Sequence, residues 1–527
     1  MSESPLSSPS DASNQDESVP IPPRYWWLKR ILAASGALLV LLVALRLWWG
    51  WIAERRLQAE IDRIVAAGEP IYPEDFDPKE PIPDEENAAK YLLKAEAALN
   101  FTLAQTELFE RVSSDVTLHD ADQEGIKKLL EDNVEALRLA RRAREFQGID
   151  WGMRFRTPVS NAGVYPLSGQ RKVCRLLHIA TRYHAVLGSD DAVAELILDQ
   201  LSLSRALRRQ QTTIAQLVAW AVEGIAVQDV QVSLLVPSPG RPGVKRTDQE
   251  PTDRAFRAVI DNLTKESTLR EDLRIAMMVS RMELVDGHRQ FADGVAPISS
   301  LFGGPGGPSA IADPVWFYAL APAVSLDTIR ALRIKGEHPI WIDRERIPSE
   351  PYAAPNSGSL QTPLDLVLRP LASVEDWSND MIDSSCRRLI AERRMASTGL
   401  AVRLFMRERG TVPNSLVELV PDFLPNVPRD PMAFESRAIG FLPDSEHPIL
   451  YSVGEDGTDD GGRFTLRGKY VDERRLDLPF FVNGDPPSGE ETDATGSRLS
   501  RQGNEDSPDE DDERGSKDQE EKREENP

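Results

Sequence analysis

The chain has 527 residues, 40% of them apolar, and a formal net charge of −23. That is enough for two or three domains with real cores, and so acidic a balance argues against nucleic acid as a partner, because phosphate binding needs clustered Lys and Arg. Much of the charge is local: residues 485–527 hold 16 acidic and 6 basic residues, a balance of −10.

Residues 1–23 are rich in Ser, Pro, Asp and Glu, the composition of a solvated tail. Residues 26–51 then read as one transmembrane helix. Between Trp26-Trp27 and Trp48-Trp49 lie 20 residues, Leu28 to Leu47, which at about 1.5 Å per residue span about 30 Å, the hydrocarbon thickness of a bilayer. The indoles of Trp26, Trp27, Trp48, Trp49 and Trp51 form an interfacial belt, and Arg46 sits where a long side chain reaches headgroups. A cleaved signal peptide is disfavoured, because Arg46-Leu47-Trp48-Trp49-Gly50-Trp51 replaces the small-residue cleavage site. Basic residues near the two ends are almost equal in number, so the positive-inside rule leaves orientation open.

Residues 52–67 continue as an amphipathic helix with Ile52, Leu57, Ile61, Ile64 and Val65 as its apolar positions, and Gly68 stops it. Five prolines make 68–83 an extended spacer. Residues 84–342 read as a helical domain. Asp84-Glu85-Glu86 starts a helix over 87–98, a second runs over about 125–146, and the clearest three follow over 171–187, 192–207 and 213–235. Short turns between helices of this length favour antiparallel neighbours, a helical array of hairpins like those of tetratricopeptide repeats but without a 34-residue period. Residues 237–243 break the array, 253–288 resume helix, 303–308 form a Gly/Pro loop, and the apolar run 314–324 is too short to span a membrane and reads as core. Residues 343–363 look like a linker.

A small α+β module is expected over 371–483. A long helix over 371–409 ends at Gly410, Ser415-Leu416 opens a short helical turn, residues 427–431 make a Pro-rich corner, and 449–453 form a strand. The motifs Arg409 to Pro413, Ser415 to Pro421, Leu424 to Pro431 and Leu450 to Gly454 together resemble the globular part of type II secretion major pseudopilins, over about 80 of the 527 residues. With an anchor and a helical middle, the whole resembles bacterial single-pass membrane proteins. The chain departs from a pseudopilin in lacking the Gly-Phe-Thr-Leu-x-Glu processing motif before its apolar helix; Asn100-Phe101-Thr102-Leu103 matches only part of it. The resemblance implies a module reused on another anchor, with the N-terminus inside and the large domain outside the cytoplasmic membrane. It also implies calcium in the Asp/Gly loop, with Asp456, Asp459 and Asp460 as oxygen donors. A solvated turn is the alternative there. Residues 485–527, with no aromatic residue, are expected to be disordered.

Chemistry is sparse. Cys174 and Cys386 read as buried free thiols. His178 and His184 stand about 120° apart on one helix, poorly placed for one metal. No zinc-protease, phosphate-loop, nucleophile-elbow or Cys-x-x-Cys signature occurs. Two functions follow. The first is a non-catalytic envelope protein, held by the lipid bilayer and binding other envelope proteins through its helical scaffold. The second is an enzyme with a site between helical domain and C-terminal module, drawing on Trp151, Tyr165, Arg171 or His178.

Overall fold

The structure, a computed structural model, describes residues 25–114, 119–159, 167–235, 249–294, 321–343, 370–433, 436–443, 448–467, 470–472 and 477–483. Residues 1–23, the break at 237–243, the loop at 303–308, most of the run 314–324, the linker 343–363 beyond its first residue, Tyr165 and the acidic tail 485–527 lie outside them.

The fold is mainly helical with a small three-stranded sheet. The apolar N-terminal segment and the amphipathic stretch after it form one 41-residue helix, α1 (Trp26–Ala66). Gly68, at φ 75°, ends it in a left-handed turn that a residue with a Cβ resists. The next helix is α2 (Ala88–Ala97). Its cap is Asn87, whose side chain accepts the Ala89 N–H at 3.1 Å, and the acidic run before it is only a 3-10 turn, Asp84–Glu86.

Two long helices expected from periodicity are each broken. The segment over 125–146 divides into α4 (Gln123–Asp132) and α5 (Val134–Arg144) at Asn133. Asn133 is fully buried, and its side chain accepts from Asn100 N at 2.7 Å and donates to Asn100 O at 2.9 Å, so the loop before α3 (Leu103–Ser114) holds the break. Likewise 253–288 divides into α9 (Gln249–Leu263) and α10 (Ser267–Ala292). Arg393 there donates to the carbonyls of Asn262, Leu263 and Lys265 at 2.9–3.2 Å, a cation on the negative end of α9. The helix α3 was not expected. Its start is a capping box, with Thr102 Oγ1 accepting the Gln105 N–H and Gln105 Oε1 accepting the Thr102 N–H.

Helices α6 (Leu167–Val186), α7 (Asp190–Arg208) and α8 (Thr213–Asp229) pack side by side, α8 passing into a π-helical segment, Val230–Leu235. Gln200 bonds Asp229, Ser204 bonds Glu223, and Gln216 bonds the Arg208 carbonyl, so α7 and α8 run antiparallel, as short turns predict. Two further helices are α11 (Ala321–Asp343) and α12 (Pro370–Arg409).

Strands β1 (Gly440–Leu442), β2 (Ile449–Ser452) and β5 (Leu478–Phe481) form an antiparallel sheet in the order β1-β2-β5, beside the hairpin β3 (Thr465–Arg467) and β4 (Tyr470–Asp472). Gly440 faces Tyr451 across the sheet, and a Cβ on it would fall 2.2 Å from the tyrosine ring. One apolar cluster takes in Ile197 of α7, Phe256 of α9, Leu400 and Leu404 of α12, and Leu450 and Phe480 of the sheet. The described parts on either side of residues 343–363 therefore share a core.

Four helices meet at a buried ionic cluster beside that core. Arg208 of α7 donates to Glu223 of α8 at 2.7 Å and to Asp272 of α10 at 3.1 Å, and Arg393 of α12 pairs with the other Glu223 oxygen. Ser204 completes it, donating to Glu223 at 2.6 Å. Burial lowers the Arg208 pKa and raises that of Asp272, so matched charge is what keeps the groups ionised here. Replacing Glu223 by Leu removes the carboxylate that Arg208 and Arg393 share, leaving Asp272 to Arg208 and only backbone carbonyls to Arg393, and is expected to cost about 3–5 kcal/mol, read as a lower urea midpoint. Arg138→Ala, which opens an exposed i,i+3 pair with Glu135, should shift that midpoint far less.

Candidate functional site

The apolar half of α1 and its root in the body form the first candidate. Among the described residues α1 is the helix long and apolar enough to cross a membrane, and none of them buries its apolar stretch. Leu39 is 63% exposed. Trp27, Trp48 and Trp51 are exposed as well, while Trp49 is half-buried. Arg30 stacks on Trp26 at 4.0 Å and Arg55 on Trp51 at 4.8 Å, placing a cation on an indole near each end. Arg46 lies against Gly50, where a Cβ would come 2.9 Å from its guanidinium.

Past Gly50 the same helix becomes part of the body. Ala53, Leu57, Glu60, Ile61 and Ile64 are buried along one face, and Leu57, Ile61 and Ile64 share an apolar cluster with Leu284, Val285 and Phe291 of α10 and Val324, Ile329 and Leu332 of α11. Burying each of Leu57, Ile61 and Ile64 is worth about 1.5–3 kcal/mol, together far above thermal energy. Glu60 receives Arg333 of α11 at 2.9 and 3.1 Å and Arg63 at 3.0 Å. Burial raises the Glu60 pKa, but the bonds from Arg333 and Arg63 outweigh it and leave the carboxyl below its ordinary value. The spacer 68–83 therefore does not separate body from helix; Ile71 belongs to the same cluster, and Glu69 pairs with Arg281 of α10.

The second candidate is the C-terminal module. Two of its motifs, joined between Asp430 and Ser452, 22 positions apart, form one hydrogen-bonded unit. Buried Asp430 of the Pro-rich corner accepts from Ser452 Oγ at 2.7 Å, Val453 N at 2.9 Å and Met432 N at 2.9 Å, tying the corner to the end of β2. The loop after β2 does not gather its carboxylates. Asp456 accepts the Thr458 N–H, and Asp459 accepts the Gly461 N–H and pairs with Arg437. Asp460 offers its backbone N–H to buried Asp477, which also receives Gly462 N at 2.6 Å. Burial pushes the Asp477 carboxyl up to about 6 against those two N–H bonds. Asp477, which sequence reasoning missed, is thus the residue that closes this loop. Among the described residues no three His, Cys, Asp or Glu side chains are grouped to hold a metal ion.

A cleft of about 470 Å³ lies where the α9–α10 turn (Thr264, Glu266), α12 (Arg394, Ser397) and residues 424–429 meet. It occupies the boundary between helical region and C-terminal module, but its charges are already joined. Arg394 makes two 2.7 Å bonds to Glu266 and a third, at 2.8 Å, to the Arg429 carbonyl. The residues proposed for an enzymatic site are elsewhere: Trp151 is buried with its indole N–H on Ala206 O at 2.7 Å, His178 is buried against Asp229 at 2.8 Å, and Arg171 is exposed on α6. Cys174 and Cys386 are free and buried, and burial pushes both thiols up, Cys386 to about 12, so neither supplies a ready thiolate.

Replacing Asp430 by Ala leaves three donors without their acceptor, at about 1–3 kcal/mol for each that stays unsatisfied. The expected result is a loss of at least about 2 kcal/mol in urea unfolding, and a smaller loss for Asp430→Asn, which keeps one carbonyl oxygen. No protein-family model, curated protein or solved structure matches this chain.

Proposed function

We propose that this is a single-pass envelope protein in which α1 crosses the cytoplasmic membrane, N-terminus inside, and holds a non-catalytic, largely helical body on the outer side as a scaffold for another envelope protein. The observation that carries this reading is the division of α1. Its first half is apolar, Trp-bracketed and bare, and its second half is built into the core of the body. A helix hydrophobic all round needs an apolar medium, and the described residues offer it none. The scaffold role is supported by the buried ionic cluster, whose charges are all engaged in joining α7, α8, α10 and α12. The outward orientation rests on the pseudopilin-like motifs, and the helix–corner–strand order around Asp430 supports that likeness.

Protease added to intact spheroplasts is expected to digest the body and leave a short protected fragment from the N-terminal side. Protection of the body until the membrane is permeabilised would reverse the orientation, and release of the full chain by alkaline washing would contradict the span. Crosslinking in intact cells that recovers the protein with no envelope partner would count against the scaffold role.

A further inference from the structure

Four contacts fix how the body is oriented along α1. Pro322, at the start of α11, packs against Gly50, 3.8 Å from where a Cβ would stand, and Arg333 reaches Glu60 eleven residues later. Helix α11 therefore runs parallel to α1, away from the apolar half. On α10, Arg281 pairs with Glu69 and His288 lies 3.5 Å from Glu54, so α10 runs the other way and its C-terminal end points back toward the apolar half. The end of α10 and the beginning of α11 thus form the near face of the body, level with Gly50, Trp51 and Glu54. The apolar stretch reaches Leu47 and the tryptophan belt extends to Trp51. No length of α1 remains between the lipid-facing segment and the body.

We propose that this face, made by the end of α10 and the start of α11, rests on the headgroup layer of the bilayer as a second lipid contact beside the span. The inference rests on the reading that α1 crosses a membrane. Its chemistry suits a wet, polar interface: Asp293 is exposed at the end of α10, Arg55 covers the exposed Trp51, and Glu54 is held ionised, chiefly by its bond to His288. Because the root of α1 is packed into the body, the face is held at one height and one tilt instead of swinging on a tether.

The test uses the full chain in lipid nanodiscs with a fluorophore on one introduced cysteine at a time; the native cysteines are buried. Asp293→Cys reports the near face, Asp62→Cys lies on α1 about 18 Å beyond Gly50, and Leu39→Cys reports the span. Lipids spin-labelled in the headgroup are expected to quench the label at 293 at least twofold more than the label at 62, and lipids spin-labelled in mid-chain to quench the label at 39. Equal headgroup quenching at 293 and 62, with the label at 39 quenched, overturns the second contact alone. Absence of quenching at 39 overturns the span and the contact with it.

Discussion

One helix has to satisfy two solvents. Over its first half α1 presents apolar side chains on every face, which suits hydrocarbon; over its second half it presents them on one face only, at Ala53, Leu57, Ile61 and Ile64, which suits a packed core. The backbone hydrogen bonds run through the junction without a break, so the two environments are joined by the stiffness of an α-helix. The order of the elements packed around its second half follows from that. Helix α11 lies along the root and covers its apolar stripe, α10 packs on α11, and their directions bring one end of the body against the apolar segment. Glu60, buried between Arg63 and Arg333, adds a charge that fits only one rotation of α1 against α11.

Away from α1, the structure is held by charges that are expensive to bury. Arg208, Glu223, Asp272 and Arg393 come from four helices, and each is stable inside only while its partners are present. Apolar contacts alone would tolerate small slips of one helix over another. A matched ionic cluster would not, because a slip leaves a desolvated charge unpaired. The C-terminal strands join the same core through α12, and Asp430 does for the sheet what Glu223 does for the helices.

What was legible in the sequence was what depends on local pattern. The long apolar helix starting at Trp26 follows from composition, the stop at Gly68 from backbone stereochemistry, and α7, α8 and α12 from apolar periodicity. What was not legible depends on partners far away in the chain. Nothing near Asn133 announces a helix break; it is held by Asn100, 33 positions earlier. The break between α9 and α10 is capped by Arg393, about 130 positions later. The same distance hid Asp477 from any reading of the Asp/Gly loop it closes, 15 residues upstream. The missed helix α3 is a different case. Its Thr102-x-x-Gln105 capping box is local and readable, but the same residues were weighed as part of a processing motif. The ionic cluster lay beyond reach for the first reason, since each of its members taken alone reads as an ordinary charge on a helix.

The central proposal is that the apolar half of α1 and the body are one rigid unit. It is tested most directly by the distance distribution between two spin labels, one at Leu39 and one at Lys127 on α4, measured by pulsed electron resonance on the full chain in nanodiscs. A single narrow distribution is the predicted result. A broad distribution, as a body swinging on the spacer 68–83 would produce, would contradict it.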